Sequence, residues 1–220
     1  MAIYLERKGI LFVLSAPSGG GKTTIIKKVR EMMGDLAYSI SVTSRPPREG
    51  ETDGKDYYFV SETAFRKMVD EGMLLEWAEV HGHLYGTPKK PVTEHLDHGR
   101  DMIMDIDVQG GLAIKKMLND SVLVFLLPPT IDTLEERLRS RNKDSEDVIA
   151  LRLENAVREI AVAEKYDYCV INDDLAKTVG EIKTIIEAER TRSSRQRINF
   201  ENEPALERAD LQDSEKGRNG

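Results

Sequence analysis

Along the chain, runs of consecutive apolar residues alternate with stretches in which apolar positions recur at helical spacing. Ile10-Leu11-Phe12-Val13-Leu14 is one such run. After Ser15-Ala16-Pro17-Ser18-Gly19-Gly20-Gly21, the residues Ile25, Ile26, Val29, Met32 and Met33 then fall on one helical face as far as Gly34. That order predicts strand, loop, helix. Further runs at Met102-Ile103-Met104, Val122–Leu127 and Tyr168–Ile171 predict strands buried on both faces, each separated from the next by a helical pattern. The expected fold class is α/β, a parallel sheet flanked by helices on both sides.

Residues 38–80 have a different rhythm. Tyr38-Ser39-Ile40-Ser41-Val42-Thr43 alternates, Tyr57-Tyr58-Phe59-Val60 is short and aromatic, and Leu74-Leu75-Glu76-Trp77 follows a brief helical pattern that begins after Ser61. This stretch reads as a small mixed α/β lobe inserted into the core. Residues 139–147 form a charged link between two helical patterns, with Ser145 placed as an N-cap and Glu146 and Asp147 in the first turn; the link reads as a hinge or lid. Beyond about Arg192 the periodicity stops apart from Ile198, Phe200 and Leu206, so a frayed or disordered tail is expected. The expected organisation is a core of residues 1–40 and 99–192, a lid at about 139–155, a lobe of residues 41–98 and a tail of residues 193–220.

Composition narrows the classes. With 220 residues, 40 % of them hydrophobic, the chain can bury one full core and carry small lobes on it. The 32 Lys and Arg against 39 Asp and Glu leave a formal charge of −7, which repels a nucleic-acid backbone unless the cations are segregated. Any anionic ligand must be met by a local cluster. The single cysteine, Cys169, cannot form an intrachain disulfide and is expected to be a small buried hydrophobe. The basic pair Arg7 and Lys8 precedes an apolar run too short for a signal sequence, and no stretch resembles a membrane span, so no membrane partner is expected and the expected location is the cytoplasm. The sequence does not choose between a monomer and a homo-oligomer.

The glycine-rich segment Ala16-Pro17-Ser18-Gly19-Gly20-Gly21-Lys22-Thr23 lies between the first strand and the first helix, where a P-loop must sit. Its glycines let backbone N–H groups turn onto phosphate oxygens, and the helix N-terminus adds partial positive charge. Lys22 can reach the β- and γ-phosphates, and the Thr23 hydroxyl can ligate Mg²⁺. Ala16 stands where the general pattern has its first glycine, and the competing reading is a glycine-rich turn with an incidental Lys-Thr. A phosphate loop alone does not choose among motors, GTPases and kinases.

The second substrate decides. Arg45, Arg48 and Tyr57 fall on a proline-stiffened loop and can present two planar forks and a phenolic donor to one phosphate, against the competing reading of a solvated charged loop. Glu76 sits in the apolar setting Leu74-Leu75-Glu76-Trp77-Ala78, where a carboxylate needs donors. Guanine offers two adjacent ones, N1–H and the 2-amino group, whereas adenine would set a lone pair against it. The competing reading is an edge-strand glutamate pointing at solvent.

Residues 15–24, 41–60 and 75–87, with Ile103-Met104-Asp105-Ile106-Asp107-Val108-Gln109-Gly110 and Val170-Ile171-Asn172-Asp173-Asp174, resemble the guanylate kinase family in order and spacing, from about residue 9 to about residue 189. The resemblance implies a P-loop kinase core with an inserted nucleoside-monophosphate lobe and a small lid, and Mg-dependent in-line transfer from ATP to GMP. It implies that Arg45, Arg48, Tyr57 and Tyr85 hold the GMP phosphate, that Glu76 and Ser41 read the guanine with Thr87 beside it, and that Glu51 and Asp107 help to fix the nucleotide. Residues Ala16 to Thr24, among them Lys22, Thr23 and Thr24, would hold ATP, with Asn172 at its base or ribose. The family's loop commonly begins Ser-Ala-Pro or Ser-Gly-Pro, which accommodates Ala16; Thr87 stands where the family often has serine.

Asp105 ends an apolar run, the place from which a parallel strand delivers a carboxylate beside the P-loop, where it can orient Mg²⁺ directly or through water. The competing reading is a carboxylate capping a helix before Val108, and Asp107 shares that ambiguity. Arg137 and Arg141 lie four apart on a predicted helix face and, with Arg152, bracket the lid. A salt-bridged surface with Glu135, Glu136 and Glu154 competes, and the resemblance favours closure of these arginines over the transferring group. A non-catalytic guanylate-kinase-like module that binds phosphopeptides is the main rival, and the retained Gly21-Lys22-Thr23 argues against it. A kinase for another small substrate or a regulatory ATPase is disfavoured by Glu76 and the paired arginines. His95 and His98 lie three apart on a probable helix, but the family resemblance supplies no zinc site.

Overall fold

The computed structural model describes residues 2–200 apart from His81 and residues 141–144. In chain order its first half contains β1 (Ile3–Glu6), β2 (Leu11–Ser15), α1 (Lys22–Met33), β3 (Ala37–Tyr38), β4 (Val42–Thr43), β5 (Tyr58–Phe59), α2 (Glu62–Asp70), β6 (Leu74–Val80) and β7 (His83–Pro88). Then follow α3 (Lys89–Asp97), β8 (Met102–Asp105), α4 (Val108–Met117), β9 (Val122–Leu127), α5 (Ile131–Arg139), α6 (Glu146–Ile160), β10 (Tyr168–Ile171), α7 (Leu175–Thr191) and β11 (Arg197–Phe200).

The apolar runs assemble into a five-stranded sheet ordered β10-β9-β2-β8-β3, every pair parallel. Side chains alternate across a strand, so β2 sends Phe12 and Leu14 to one face and Leu11 and Val13 to the other. The first face is covered by Ile25, Ile26 and Val29 of α1 and Val179, Ile182 and Ile186 of α7; the second by Val92 of α3 and Val108 and Ile114 of α4. Both faces are dry, which is why these strands read as unbroken apolar runs. The exception is β10, expected to be buried on both faces. It pairs only with β9 at the sheet's edge, and Ile171 and Cys169 are exposed, so the expectation of a buried cysteine is corrected.

The alternating run 38–43 does not form one strand. Ala37 and Tyr38 pair with β8 in the main sheet, whereas Val42 and Thr43 pair with β5 and β7, so residues 39–41 carry the chain from one sheet to the other. The second sheet is ordered β5-β4-β7-β6 and packs with α2 around Val42, Phe65, Leu74 and Leu84. Its β6–β7 register shifts between Leu74 and Glu76. This bulge aims Leu74 into the lobe's own core and Leu75 into the core of the main sheet, and it sets Glu76 opposite Thr87. Helix α3, assigned to the lobe from sequence, packs through Val92 against the main sheet instead.

Three further expectations concern the lid and the tail. Ser145 occupies the N-cap position of α6 with Glu146 and Asp147 in the first turn, as expected; the Ser145 side chain makes no capping bond, and Glu146 pairs with Arg139 of α5. Helix α5, which ends at Arg139, carries Arg137, and Arg141 lies outside the described residues. Within the segment expected to fray, Ser193–Arg195 form a short 3₁₀ turn and β11 pairs antiparallel with β1. Arg195 anchors it by donating to Glu189 at 2.8 Å and to the Asp120 carbonyl at 2.8 Å.

At the edge of the sheet opposite the glycine-rich loop, Asp101 is 2 % exposed. It accepts from Arg7 at 2.6 and 2.8 Å, from the Ile10 N–H at 2.8 Å and from Arg190 Nε at 2.6 Å. Burial opposes ionisation of Asp101, but these donors outweigh it and hold the carboxyl below the usual carboxylate range. Removing one partner of a buried ionic cluster strands the other charges, so Asp101→Asn is expected to lower the unfolding free energy by roughly 3 kcal/mol at neutral pH. Because the folded carboxyl titrates below its unfolded value, its stabilisation is complete above about pH 4 and is lost as pH falls through the folded value. Urea denaturation across the acid range should therefore show a shallower loss of stability in the variant.

Candidate active site

The carboxyl ends of β2 and β8 lie side by side, Leu14 opposite Asp105. The segment between β2 and α1 turns tightly there. Gly19 and Gly21 have φ of +87° and +84°, a region that side chains with a Cβ avoid, and a Cβ on Gly20 would approach Ala16 Cβ to 2.6 Å. The Gly20 N–H donates to the Pro17 carbonyl at 2.8 Å, closing the turn. Lys22 folds back so that Nζ donates to the Ala16 carbonyl at 2.8 Å. Thr23 and Thr24 follow in the first turn of α1, both exposed.

The loop is braced from behind. The buried Asn172, just past β10, donates from Nδ2 to the Gly20 carbonyl at 2.8 Å, and its own carbonyl accepts from Arg137 at 3.0 Å. Asn172 thus stands against the backbone of the glycine-rich loop. Leu134 and Leu138 of α5 press against Gly19, where a Cβ would lie 3.1 Å from Leu138. On the other side, Glu159 of α6 approaches Lys22 and the Ser18 N–H; burial pushes its carboxyl up, against the pull of those groups. Arg152 is half-buried on α6.

Of the two carboxylates at the end of β8, it is Asp107 that caps α4, accepting from the Gly110 N–H at 2.7 Å. Asp105 does not cap. It accepts a short hydrogen bond from the Tyr38 hydroxyl, whose proton is held tightly because burial and the neighbouring Asp105 push its pKa above the ordinary tyrosine range. The Tyr38 ring in turn lies 5.3 Å beneath the Arg30 guanidinium.

In the lobe, Arg45 is 7 % exposed, an unusual place for a guanidinium. Its donors reach Tyr85 at 3.2 Å, the Pro46 carbonyl at 2.8 Å and both Glu51 oxygens at 2.8 and 3.0 Å, and it stacks 5.5 Å from the Tyr57 ring. Tyr57 meets Tyr85 edge-on at 6.0 Å. Glu51 also accepts the Arg48 N–H at 2.7 Å, so it organises both arginines, while the Arg48 side chain is exposed. Burial pushes the Tyr57 hydroxyl up, and the charge of Asp105 adds to the rise.

Glu76 is half-buried on β6, not turned to open solvent. Its Oε1 accepts from the Thr87 hydroxyl at 2.6 Å, and its Oε2 lies where a Cβ on Gly110 would come within 3.3 Å. Burial pushes its carboxyl up to about 7, the Thr87 hydrogen bond pulls the other way, and Asp107 adds to the rise. Ser41, in the link between the sheets, is half-buried and gives its carbonyl to the Tyr58 N–H at 2.9 Å.

Sequence reasoning missed Tyr38 and Gly110. The signal for Gly110 was a Gly-Gly pair inside a helix, which costs helix stability unless something must come close. Tyr38 belongs to no motif, and only the packing of β3 beside β8 reveals its partner.

A family model described as guanylate kinase matches residues 8–189. A curated guanylate kinase from Syntrophotalea carbinolica is 49 % identical over 191 residues, covering 87 % of this chain and 91 % of that protein. One from Thermotoga maritima is 43 % identical over 194 residues, covering 88 % and 94 %. Among solved structures, a guanylate kinase from Anaplasma phagocytophilum superposes with a TM-score of 0.73 at 35 % identity, covering 88 % of this chain and 92 % of that one.

The Glu76 environment is directly testable. Thr87→Val keeps the shape of the side chain and removes the donor that favours the ionised carboxylate, so the Glu76 titration is expected to move upward from about 7. Carbon-13 NMR of labelled glutamate carboxyls, with Glu76→Gln to assign the signal, measures this; an unchanged midpoint would show that Thr87 does not set the carboxylate's ionisation.

Proposed function

Since the chain belongs to the guanylate kinase family and moves the γ-phosphoryl group of ATP onto GMP, we propose which of its residues carry that transfer. The observation that supports the assignment most directly is Glu76: a half-buried carboxylate on the lobe's sheet, beside α4, whose donors among the described residues are the hydroxyl and the backbone of Thr87. Guanine N1–H and the 2-amino group supply the adjacent donors that such a carboxylate lacks, and adenine cannot. Thr87 orients Glu76, Asp107 holds the α4 N-terminus near it, and Ser41 adds a hydroxyl to the base.

The GMP phosphate docks against Arg45, Arg48, Tyr57 and Tyr85. Glu51 holds the Arg45 fork in place and acts on the phosphate through it. ATP lies with its phosphates over residues Ala16 to Thr24, where backbone N–H groups, the start of α1 and Lys22 neutralise the β- and γ-oxygens. Asn172 contributes through the loop that it braces.

Magnesium fits the residues present. Thr23 and Asp105 offer the hard oxygen donors it prefers, and among the described residues no group of three or more His, Cys, Asp or Glu could form a cage of protein ligands, as suits an ion held largely by nucleotide phosphates. When bound it supplies charge neutralisation to the transferring phosphoryl group. The protein's own contribution is position and charge: Lys22 and Arg45 draw the donor and acceptor phosphates into line, and Arg137 of α5 and Arg152 of α6 add positive charge from either side of the lid. Closure of the lid and of the lobe's sheet on the core excludes water, which would otherwise take the phosphoryl group. Among the described residues no helix is long and apolar enough to cross a membrane.

ADP formation with MgATP and each of GMP, AMP, CMP and UMP tests the whole assignment. Turnover is expected with GMP alone, reduced about 10²- to 10³-fold or more by Lys22→Ala and weakened chiefly through KM for GMP by Glu76→Gln. Folded, ATP-binding protein that turns over none of the four would shift weight to a phosphopeptide-binding module. Since Glu76 must be ionised to accept both guanine donors and is pushed up to about 7, KM for GMP is expected to fall as pH rises from 6 to 8 and then level off. Loss of that limb in Glu76→Gln assigns it to this carboxyl; its persistence there would assign it elsewhere.

A further inference from the structure

Tyr38 is the last residue of β3, the edge strand next to β8, and its hydroxyl hydrogen bonds to Asp105 Oδ1. The backbone on either side of this contact is fixed by the sheet: Tyr38 pairs with Ile103, and the Ser39 N–H donates to the Ile103 carbonyl at 3.0 Å. The Tyr38 ring is half-buried and lies against the Arg30 guanidinium. Donor and acceptor therefore rest on adjacent parallel strands, with little freedom to separate.

Asp105 itself stands at the point where three parts of the site meet. It is opposite Leu14 at the start of the glycine-rich loop, and the next residue, Ile106, donates its N–H to the Leu14 carbonyl at 3.3 Å. It influences Tyr57 of the phosphate cluster in the lobe. A carboxylate at a strand end has two side-chain torsions and can swing between these neighbours; a single charge-assisted bond to one oxygen fixes both torsions and leaves the other oxygen to face the site. Among the described residues Tyr38 is the side chain that hydrogen bonds to that carboxylate.

We propose that Tyr38 is a positioning residue for phosphoryl transfer: its hydroxyl holds Asp105 in the orientation that meets the hydrated magnesium ion of bound MgATP. The proposal rests on the reading of Asp105 as the residue that orients that ion. Tyr38 touches neither nucleotide and acts only through Asp105. Supporting partners of metal-orienting groups contribute about 10- to 100-fold in metal affinity or activity.

Tyr38→Phe removes the hydroxyl and keeps the ring against Arg30, so the fold is retained, as a thermal melt will register. Two quantities are measured on the full chain, alone and in an Asp105→Asn background: binding of Mn²⁺ to the enzyme–ATP complex by electron paramagnetic resonance, and kcat and both KM values as a function of Mg²⁺. Tyr38→Phe is expected to weaken Mn²⁺ binding and lower kcat at limiting Mg²⁺ by about tenfold, with KM for GMP unchanged, and to have no further effect once Asp105 is Asn. If Asp105→Asn changes both quantities while Tyr38→Phe changes neither, or if Tyr38→Phe has its full effect in the Asp105→Asn background, the positioning role is overturned and the reading of Asp105 stands. If Asp105→Asn leaves Mn²⁺ binding and kcat unaltered, that reading fails and the proposal falls with it.

Discussion

A loop that turns its backbone N–H groups inward to face an anion has no hydrogen-bond ladder of its own to hold its shape, and here the hold comes from the bond between Asn172 and the Gly20 carbonyl. That bond joins the first strand–helix turn of the chain to the last strand of the sheet. Arg137 then grips the Asn172 carbonyl and brings in α5, whose Leu134 and Leu138 fill the space behind Gly19. The loop is thus braced by three elements distant in sequence that converge on a few backbone atoms. Bracing of this kind keeps the donors set before charge develops on the phosphoryl group.

The acceptor side is built on a different principle. Arg45 and Glu76 are charged groups drawn into partly dry surroundings, Arg45 with each guanidinium nitrogen bonded and Glu76 held by Thr87. The bulge in β6 makes this possible: an unbroken alternation could not bury Leu74 and Leu75 in two separate cores and still turn Glu76 to Thr87. The lobe gives up some stability to keep a carboxylate where a base edge can meet it.

The main sheet was legible because strands dry on both faces must be apolar throughout, and β2, β8 and β9 are. The glycine-rich loop was legible because its backbone geometry demands glycine at positions 19 and 21. What the sequence did not disclose depends on contacts between distant segments. Cys169 looks buried until β10 is known to be an edge strand. The alternation over residues 38–43 conceals a crossing between two sheets, since each half obeys the same period. The bond from Asn172 to the Gly20 carbonyl joins segments distant in sequence, and no local pattern discloses it. The grip of Glu51 on Arg45 is likewise disclosed only by the fold.

The ribbon of β1 and β11 bears on how the chain comes to be folded. Glu6 and Asn199, bonded across it, are separated by 193 positions. As the chain emerges during synthesis, β1 is the first described strand to appear and its partner the last. Arg7 next to it must also wait, first for Asp101 and then for Arg190 to complete their cluster. Every pairing within the main sheet joins strands closer together in the chain than β1 and β11, so closing this seam costs more chain entropy than any pairing in that sheet.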